Sequence, residues 1–243
     1  MSAPNSYIGS ELELFAEARN WKAYFRRQLR PYLTGDVLEV GAGLGGTTAI
    51  LCDRRAASWT CLEPDPALAK QLETRLPHLV EKPATLQVVV GTTATLPAGE
   101  MFDALLYIDV LEHIENDAEE LSRAARLVRP NGHICAIAPA HPWLFTPFDK
   151  AIGHFRRYTC DSLRRLTPAG SELVRLRYLD SAGLVASLGN RLFLKASLPT
   201  AAQIRFWDRC LVPVSRALDP LTAYHIGKSV LGVWQIRRPV TST

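Results

Sequence analysis

The stretch from Val37 to Thr48 reads Val-Leu-Glu-Val-Gly-Ala-Gly-Leu-Gly-Gly-Thr-Thr, an apolar run that meets one acid and then breaks into glycines. It predicts a buried strand over 36–40, a tight turn and a helix over 48–54. A strand this apolar belongs inside a parallel sheet covered on both faces, and Gly41, Gly43 and Gly45 or Gly46 let the backbone approach a ligand where a Cβ would clash. Glycines at the carboxyl end of a first strand admit a nucleoside-bearing ligand, and the carboxylate of Glu39 is placed to hold its polar or cationic part. Gly41, Gly43 and Gly46 also satisfy the dinucleotide-binding pattern. Two features weigh against a dinucleotide. A negative charge two residues before the first glycine disfavours a pyrophosphate, and about thirty-five residues precede the strand.

The order acid, apolar, Gly-x-Gly-x-Gly resembles the first motif of the class I S-adenosylmethionine-dependent methyltransferases. The resemblance implies a Rossmann-like α/β fold, a seven-stranded mostly parallel sheet with helices on both faces, and S-adenosylmethionine as cofactor. It implies cofactor contacts from Glu39, Gly41, Ala42, Gly43 and Gly45. A second strand over 59–63 ends at Glu63-Pro64, about twenty residues past the glycines, where an acid can accept hydrogen bonds from both ribose hydroxyls. Asp65, before Pro66, reads instead as the N-cap of a helix over 67–76. After a third strand over 85–90, relatives carry an acid against adenine. This chain has Thr92-Thr93 there, a departure that leaves only hydroxyls for that contact. A fourth strand over 102–107 runs into Ile108 and Asp109, which the switch-point rule turns toward the ligand crevice.

At 243 residues and 47% hydrophobic, the chain has material for one α/β domain with insertions. The expected layout is a helical leader over 1–34, a cofactor-binding core over 35–181, a helical insertion over 182–226 and a last strand with tail over 227–243. A net charge of +4 is too mild to argue for nucleic acid and permits an anionic substrate or surface. The five cysteines show no Cys-x-x-Cys pair and read as free thiols. No basic-then-apolar leader opens the sequence and no uninterrupted apolar run approaches about eighteen residues, so a cytoplasmic protein is expected.

The leader predicts a helix through Leu12, Phe15, Trp21, Tyr24, Phe25 and Leu29, stopped by Pro31. Its aromatics either cover the cofactor or pack on the sheet. Asp109, Glu112 and His113 admit a metal-ligand reading. On a helix, however, adjacent Glu112 and His113 point roughly a hundred degrees apart, and no third or fourth ligand is assured, so no metal is expected. A helix over 118–128 is followed by a turn at Arg129-Pro130-Asn131-Gly132 and a fifth strand over 133–138. Beyond it lies a dense mix of histidine, arginine and aromatics from His141 to Tyr158, including Gly153-His154-Phe155-Arg156-Arg157-Tyr158. This segment resembles that of a bacterial methyltransferase subgroup with Gly-His-x-Arg-Arg-Tyr. Loops at that end of a sheet gather substrate residues, and a structural use of the same side chains stays open.

Methyl transfer from a sulfonium develops little charge, so placement carries most of the rate and a histidine assists by removing a proton. The candidates are His154, His141 and His113. His154 leads because Arg156 and Tyr158 stand beside it. A helix and a strand follow over 160–166 and 171–180. From 182 to 221 the chain is helical, with Ile204, Trp207, Leu211, Val214 and Leu218 at three-and-four spacing. That face packs on its own domain, on a twin subunit in a homodimer, or on a membrane surface with a lipid-linked substrate. The acceptor is expected to be a small molecule or a glycan- or lipid-linked one, with no nucleic acid. A nicotinamide-dependent oxidoreductase is the alternative, without a Tyr-x-x-x-Lys or cysteine centre to carry it. An RNA-directed methyltransferase is the other, without the basic groove it needs.

Overall fold

The computed structural model describes residues 15, 17–79, 83–189 and 200–237. Its seven strands are β1 (Gly35–Val40), β2 (Ala56–Glu63), β3 (Thr85–Val90), β4 (Phe102–Ile108), β5 (Val128–Pro139), β6 (Ser171–Leu179) and β7 (Ser229–Ile236). They form one sheet in the order β3-β2-β1-β4-β5-β7-β6. The first five pair in parallel, and β7 runs antiparallel to both β5 and β6. Successive strand residues alternate between two cores. Val37 and Leu106 belong to one and Leu38 and Leu105 to the other, and all four are fully buried. Both faces being covered, the strands read as continuous apolar runs.

Helices α1 (Arg19–Leu29), α2 (Thr48–Leu51) and α3 (Pro66–Arg75) cover one face. The other is covered by α4 (Asp117–Arg126) and, beyond a short α5 (Pro147–Ala151), by α6 (Cys160–Arg165). In α1 the buried Trp21, Tyr24, Phe25 and Leu29 fall on one stripe, as their spacing predicts. Leu12 lies outside the described residues. Helix α2 stops three residues short of the expected 54. The Asp53 carboxylate accepts from the Arg55 N–H and pairs with Arg26 on α1, which takes the chain out of the helix. The expected turn at 129–132 is instead the opening of β5, which starts at Val128 with a register shift opposite Phe102 and Ala104.

The remaining helices are α7 (Ser181–Gly189), α8 (Ala201–Phe206) and α9 (Val212–Leu221), the last two joined by a π-helical turn over Trp207–Leu211. That turn corrects the predicted apolar stripe. A π turn carries one extra residue, so the inward face moves along by one. Ile204 is buried as expected, but within the turn the buried position is Asp208 and beyond it Val212, Ser215 and Asp219, while Val214 and Leu218 are exposed.

Two of those inward residues are acids because they cap other helices. Asp208 accepts from the N–H groups of Asn20 and Trp21, at 3.2 and 2.9 Å, at the start of α1, which has no side-chain cap of its own. Asp219 accepts from the N–H groups of Asp180 and Ser181, at 2.7 and 3.0 Å, at the start of α7, and from the Tyr24 hydroxyl. Helix starts leave such donors unpartnered. No helix among the described residues is long and apolar enough to cross a membrane.

Candidate active site

Strand order reverses between β1 and β4, and a cavity of about 1900 Å³ opens there, outside the carboxyl ends of the strands. One end of it is the glycine turn. The N–H groups of Gly41 and Ala42 donate to the Leu62 carbonyl, and that of Gly43 to Glu63 Oε2 at 2.8 Å, so the turn is fastened to the end of β2. Gly41 has φ +68°, and a Cβ there would come within 2.8 Å of Val110 Cγ2, so it is glycine for both shape and room. Gly41, Ala42, Gly43, Glu63, Pro64, Thr92, Thr93, Ile108 and Asp109 all line the cavity.

Two of the expected cofactor residues do not. Gly45 packs toward Leu72 on α3, where a Cβ would clash. Glu39 is buried behind the turn, its Oε2 accepting from the Thr48 hydroxyl at 2.8 Å and the Trp59 indole N–H at 2.9 Å. The expected contact from Glu39 to a cationic group in the cavity is therefore replaced by an internal bond that ties β1, β2 and α2 together. Burial pushes its carboxyl up to about 7, against those two bonds. An acid whose folded pKa is raised favours the fold when protonated, so this contribution is intact below the ordinary carboxyl range. It is lost as pH climbs toward 7. Glu39→Gln is expected to keep both bonds to the side-chain oxygen. It should remove a pH-dependent loss of about 3 kcal/mol, read from urea unfolding at about pH 5 and about pH 8.

Glu63 presents a different geometry. Its two oxygens accept from the Gly43 and Asp65 N–H groups, and it faces the cavity with lone pairs to spare. Burial raises its pKa and those two bonds oppose the rise. Asp65 caps α3, accepting from the Ala67 and Leu68 N–H groups. Glu63→Ala strips both loops of their acceptor. Nucleoside affinity is expected to fall at least tenfold by calorimetry, since a bond to a charged acceptor contributes about 1.5–3 kcal/mol. Unchanged affinity would remove Glu63 from the site. Thr93 lines the cavity, yet its hydroxyl donates to Glu120, which also accepts from Tyr107. The exposed Thr92 is held through its backbone N–H by the Thr95 hydroxyl.

The far end of the cavity is polar. Asp109 sits at φ +54° with its N–H on the Ile137 carbonyl, a left-handed position that an aspartate tolerates. Its side chain is exposed to the open cavity, between walls that desolvate it. Burial raises it to about 6, held down by His154, Lys22 and Lys228. Next comes a 3-10 turn, Leu111–His113, rather than the expected helix. Glu112 is fully buried on it, and burial followed by Asp109 drives its carboxyl well above the usual range. Burial and then His154 push His113 down to about 4, against a backbone hydrogen bond with Gly153.

The segment from Gly153 to Tyr158 is a clamp. The Phe155 N–H donates to the Glu112 carbonyl, and the Tyr158 hydroxyl donates to the Leu111 carbonyl and to Asp117. Arg156 pairs with Asp117 and the Glu115 carbonyl, off the cavity wall. Tyr158 thus fastens the 3-10 turn to the end of β5, and Arg156 holds the Glu115–Asp117 segment that follows the turn, instead of the two flanking an acceptor. Asp149 is the hub. It closes a capping box with Thr146 at the start of α5, accepts from His154 Nδ1 at 3.0 Å and takes two bonds from Arg157. Burial alone would raise Asp149, but His154 and Arg157 outweigh it and hold the carboxylate below its usual range.

His154 and His113 line the cavity with their rings 4.5 Å apart, near perpendicular. His141 does not line it. It stacks on Tyr178 and its Nε2 meets the Gly227 carbonyl at 2.9 Å. Glu112 and His113 do not diverge as they would on a helix, because they sit on the 3-10 turn. Ligand-capable atoms of Glu112, His113 and His154 all lie within 4.8 Å of one another. Sequence reasoning missed Asp149, Lys22 and Lys228 at this end. Only the spacing of Thr146 and Asp149, three residues apart before a helix, hinted at one of them.

Residues 38–134, about two fifths of the chain, match the model of the methyltransferase domain. A ubiquinone biosynthesis O-methyltransferase from Azorhizobium caulinodans is 32% identical over 107 residues, 44% of this chain and 41% of that protein. A demethylmenaquinone methyltransferase from Tropheryma whipplei is 27% identical over 154 residues, 63% of this chain and 61% of the other. The chain thus spans about half the length of these curated relatives. The N-methyltransferase NodS from Bradyrhizobium japonicum, solved with S-adenosyl-L-homocysteine, superposes with a TM-score of 0.56 at 11% identity. That match covers 96% of this chain and 90% of NodS. Residues 38–134 are thus similar to a methyltransferase domain, and the seven-stranded sheet that carries them is Rossmann-like.

Proposed function

We propose that the protein transfers the methyl group of S-adenosylmethionine to a small, largely apolar acceptor. The observation that carries this reading is one cavity that joins the glycine turn and Glu63 to the polar group at Asp109, Glu112, His113 and His154. At about 1900 Å³ it exceeds the roughly 300–1,000 Å³ of a single-ligand site, so it has room for a nucleoside and an acceptor together. Glu63 accepts from the ribose hydroxyls, and Trp21, Phe25, Leu144, Phe148 and Phe206 give the acceptor an apolar wall. The nucleophilic atom bonds to the methyl carbon as the carbon–sulfur bond breaks. Its electron pair stays on sulfur as a neutral thioether. The acceptor's proton leaves at the polar end, within reach of His113 and His154 and away from His141.

The relatives named for ubiquinone biosynthesis and demethylmenaquinone support an acceptor with an aromatic ring. Exposed Val214, Leu218 and Leu221 give the helical layer an apolar outer face, which favours an acceptor carried on a lipid and met at a membrane surface. S-adenosylhomocysteine release, followed with catechols, lipid-tailed hydroquinones, amines and glycans as acceptors, tests the proposal. Turnover is expected with the phenolic set, falling steeply in His154→Ala and staying within about threefold of the parent in His141→Ala. Turnover confined to amines or glycans would contradict the acceptor class.

A further inference from the structure

We propose that Glu112, His113 and His154 bind one divalent transition-metal ion at the acceptor end of the cavity. The donor atoms lie within 4.8 Å of one another. An ion with bonds of about 2.0–2.2 Å holds its ligands at most about 4.4 Å apart, so shifts of about 1 Å gather them. The carboxylate is the independent sign of a ligand. Glu112 is fully buried on the cavity wall, and beyond its own backbone neither of its oxygens meets a hydrogen-bond donor among the described residues. The ring nitrogen nearest to it, His154 Nε2, stands 3.9 Å away, too far for a hydrogen bond. A buried carboxylate left this bare is costly unless a charge meets it.

The supporting contacts are those of metal sites. His154 gives Nδ1 to Asp149 at 3.0 Å, which fixes the ring and leaves Nε2 turned toward Glu112. His113 takes a backbone hydrogen bond with Gly153. A histidine tied through one nitrogen to a carboxylate or a backbone group, with the other nitrogen on the ion, is the usual arrangement of a ligating imidazole. The Phe155 N–H on the Glu112 carbonyl, at 2.8 Å, holds the two segments in register. Two imidazoles and one carboxylate select zinc or a similar first-row ion over magnesium or calcium, which prefer oxygen. Three protein ligands leave positions open on the cavity side. There, on the methyl-transfer reading, an acceptor oxygen would bind and lose its proton to water more readily. His154 then binds the ion instead of taking the proton itself.

The test uses the full chain, stripped with a chelator and titrated calorimetrically with zinc alone, with cobalt as a spectroscopic substitute. One ion per chain is expected, with visible cobalt bands. His154→Ala and Glu112→Gln should each weaken binding at least tenfold. Melting of the chelated variants verifies that each folds, and His154→Ala, at the cavity wall, carries the test if Glu112→Gln does not. No saturable zinc binding, or equal binding by parent and variants, would overturn the site. S-adenosylhomocysteine titrated into the same sample separates the two readings. Nucleoside binding without zinc sinks the metal site alone, and zinc on the triad without nucleoside sinks the methyl-transfer reading alone.

Discussion

Replacing Asp219 with alanine is expected to lower the stability of the fold by roughly 3–5 kcal/mol, a large share of what a domain of this kind possesses. The side chain is fully buried and accepts from Tyr24 on α1 and from the N–H groups of Asp180 and Ser181 at the start of α7. Alanine leaves three buried donors without a partner. Asp180, whose N–H is one of them, itself accepts from Ser215, Gly183 and the Trp207 indole, so the loss propagates into the π turn. Leu218→Ala, one residue earlier on the exposed face, is expected to cost well under 1 kcal/mol. Urea unfolding of the two variants decides whether the acid or the leucine faces inward. Equal losses would contradict the one-residue shift introduced by the π turn.

Asp149→Asn is expected to reduce turnover about 10- to 100-fold while leaving S-adenosylhomocysteine affinity within about twofold of the parent. Asparagine keeps an oxygen for the Thr146 cap but removes the charge that aligns His154 and pairs with Arg157. His154 then loses the partner that turns its Nε2 toward Glu112. The glycine turn and Glu63 make no contact with Asp149, so cofactor binding is not involved. Kinetics with saturating cofactor separate the effects. A fall in turnover number at unchanged nucleoside affinity is the predicted pattern, and a parallel fall in both would make Asp149 a scaffold residue only.

The glycine-turn end of the cavity was legible because its constraints are local. Glycines at 41 and 43, an acid at 63 and apolar runs such as Val37–Val40 each encode a backbone shape or a buried face within a few residues. The acceptor half was not legible because its decisive contacts join segments far apart in the chain. Asp208 caps a helix that begins at Arg19, and Asp219 caps one that begins at Ser181. Nothing within either neighbourhood distinguishes these acids from solvated ones. The π turn at Trp207–Leu211 displaced an otherwise convincing apolar stripe by one residue. Glu39 shows the opposite failure. Its position before the glycines pointed to a ligand, but Thr48 and Trp59 take up its carboxylate. At Arg156 and Tyr158, types suited to substrate binding serve instead to clamp the turn that carries Glu112 and His113 and the segment that follows it.

The central claim is that the cavity outside β1 and β4 takes an S-adenosyl nucleoside. Calorimetric titration of the parent protein with S-adenosylhomocysteine, alongside NAD, tests it most directly. The account predicts one nucleoside bound per chain and no heat from NAD. Binding of NAD with none of S-adenosylhomocysteine at millimolar concentration would contradict it.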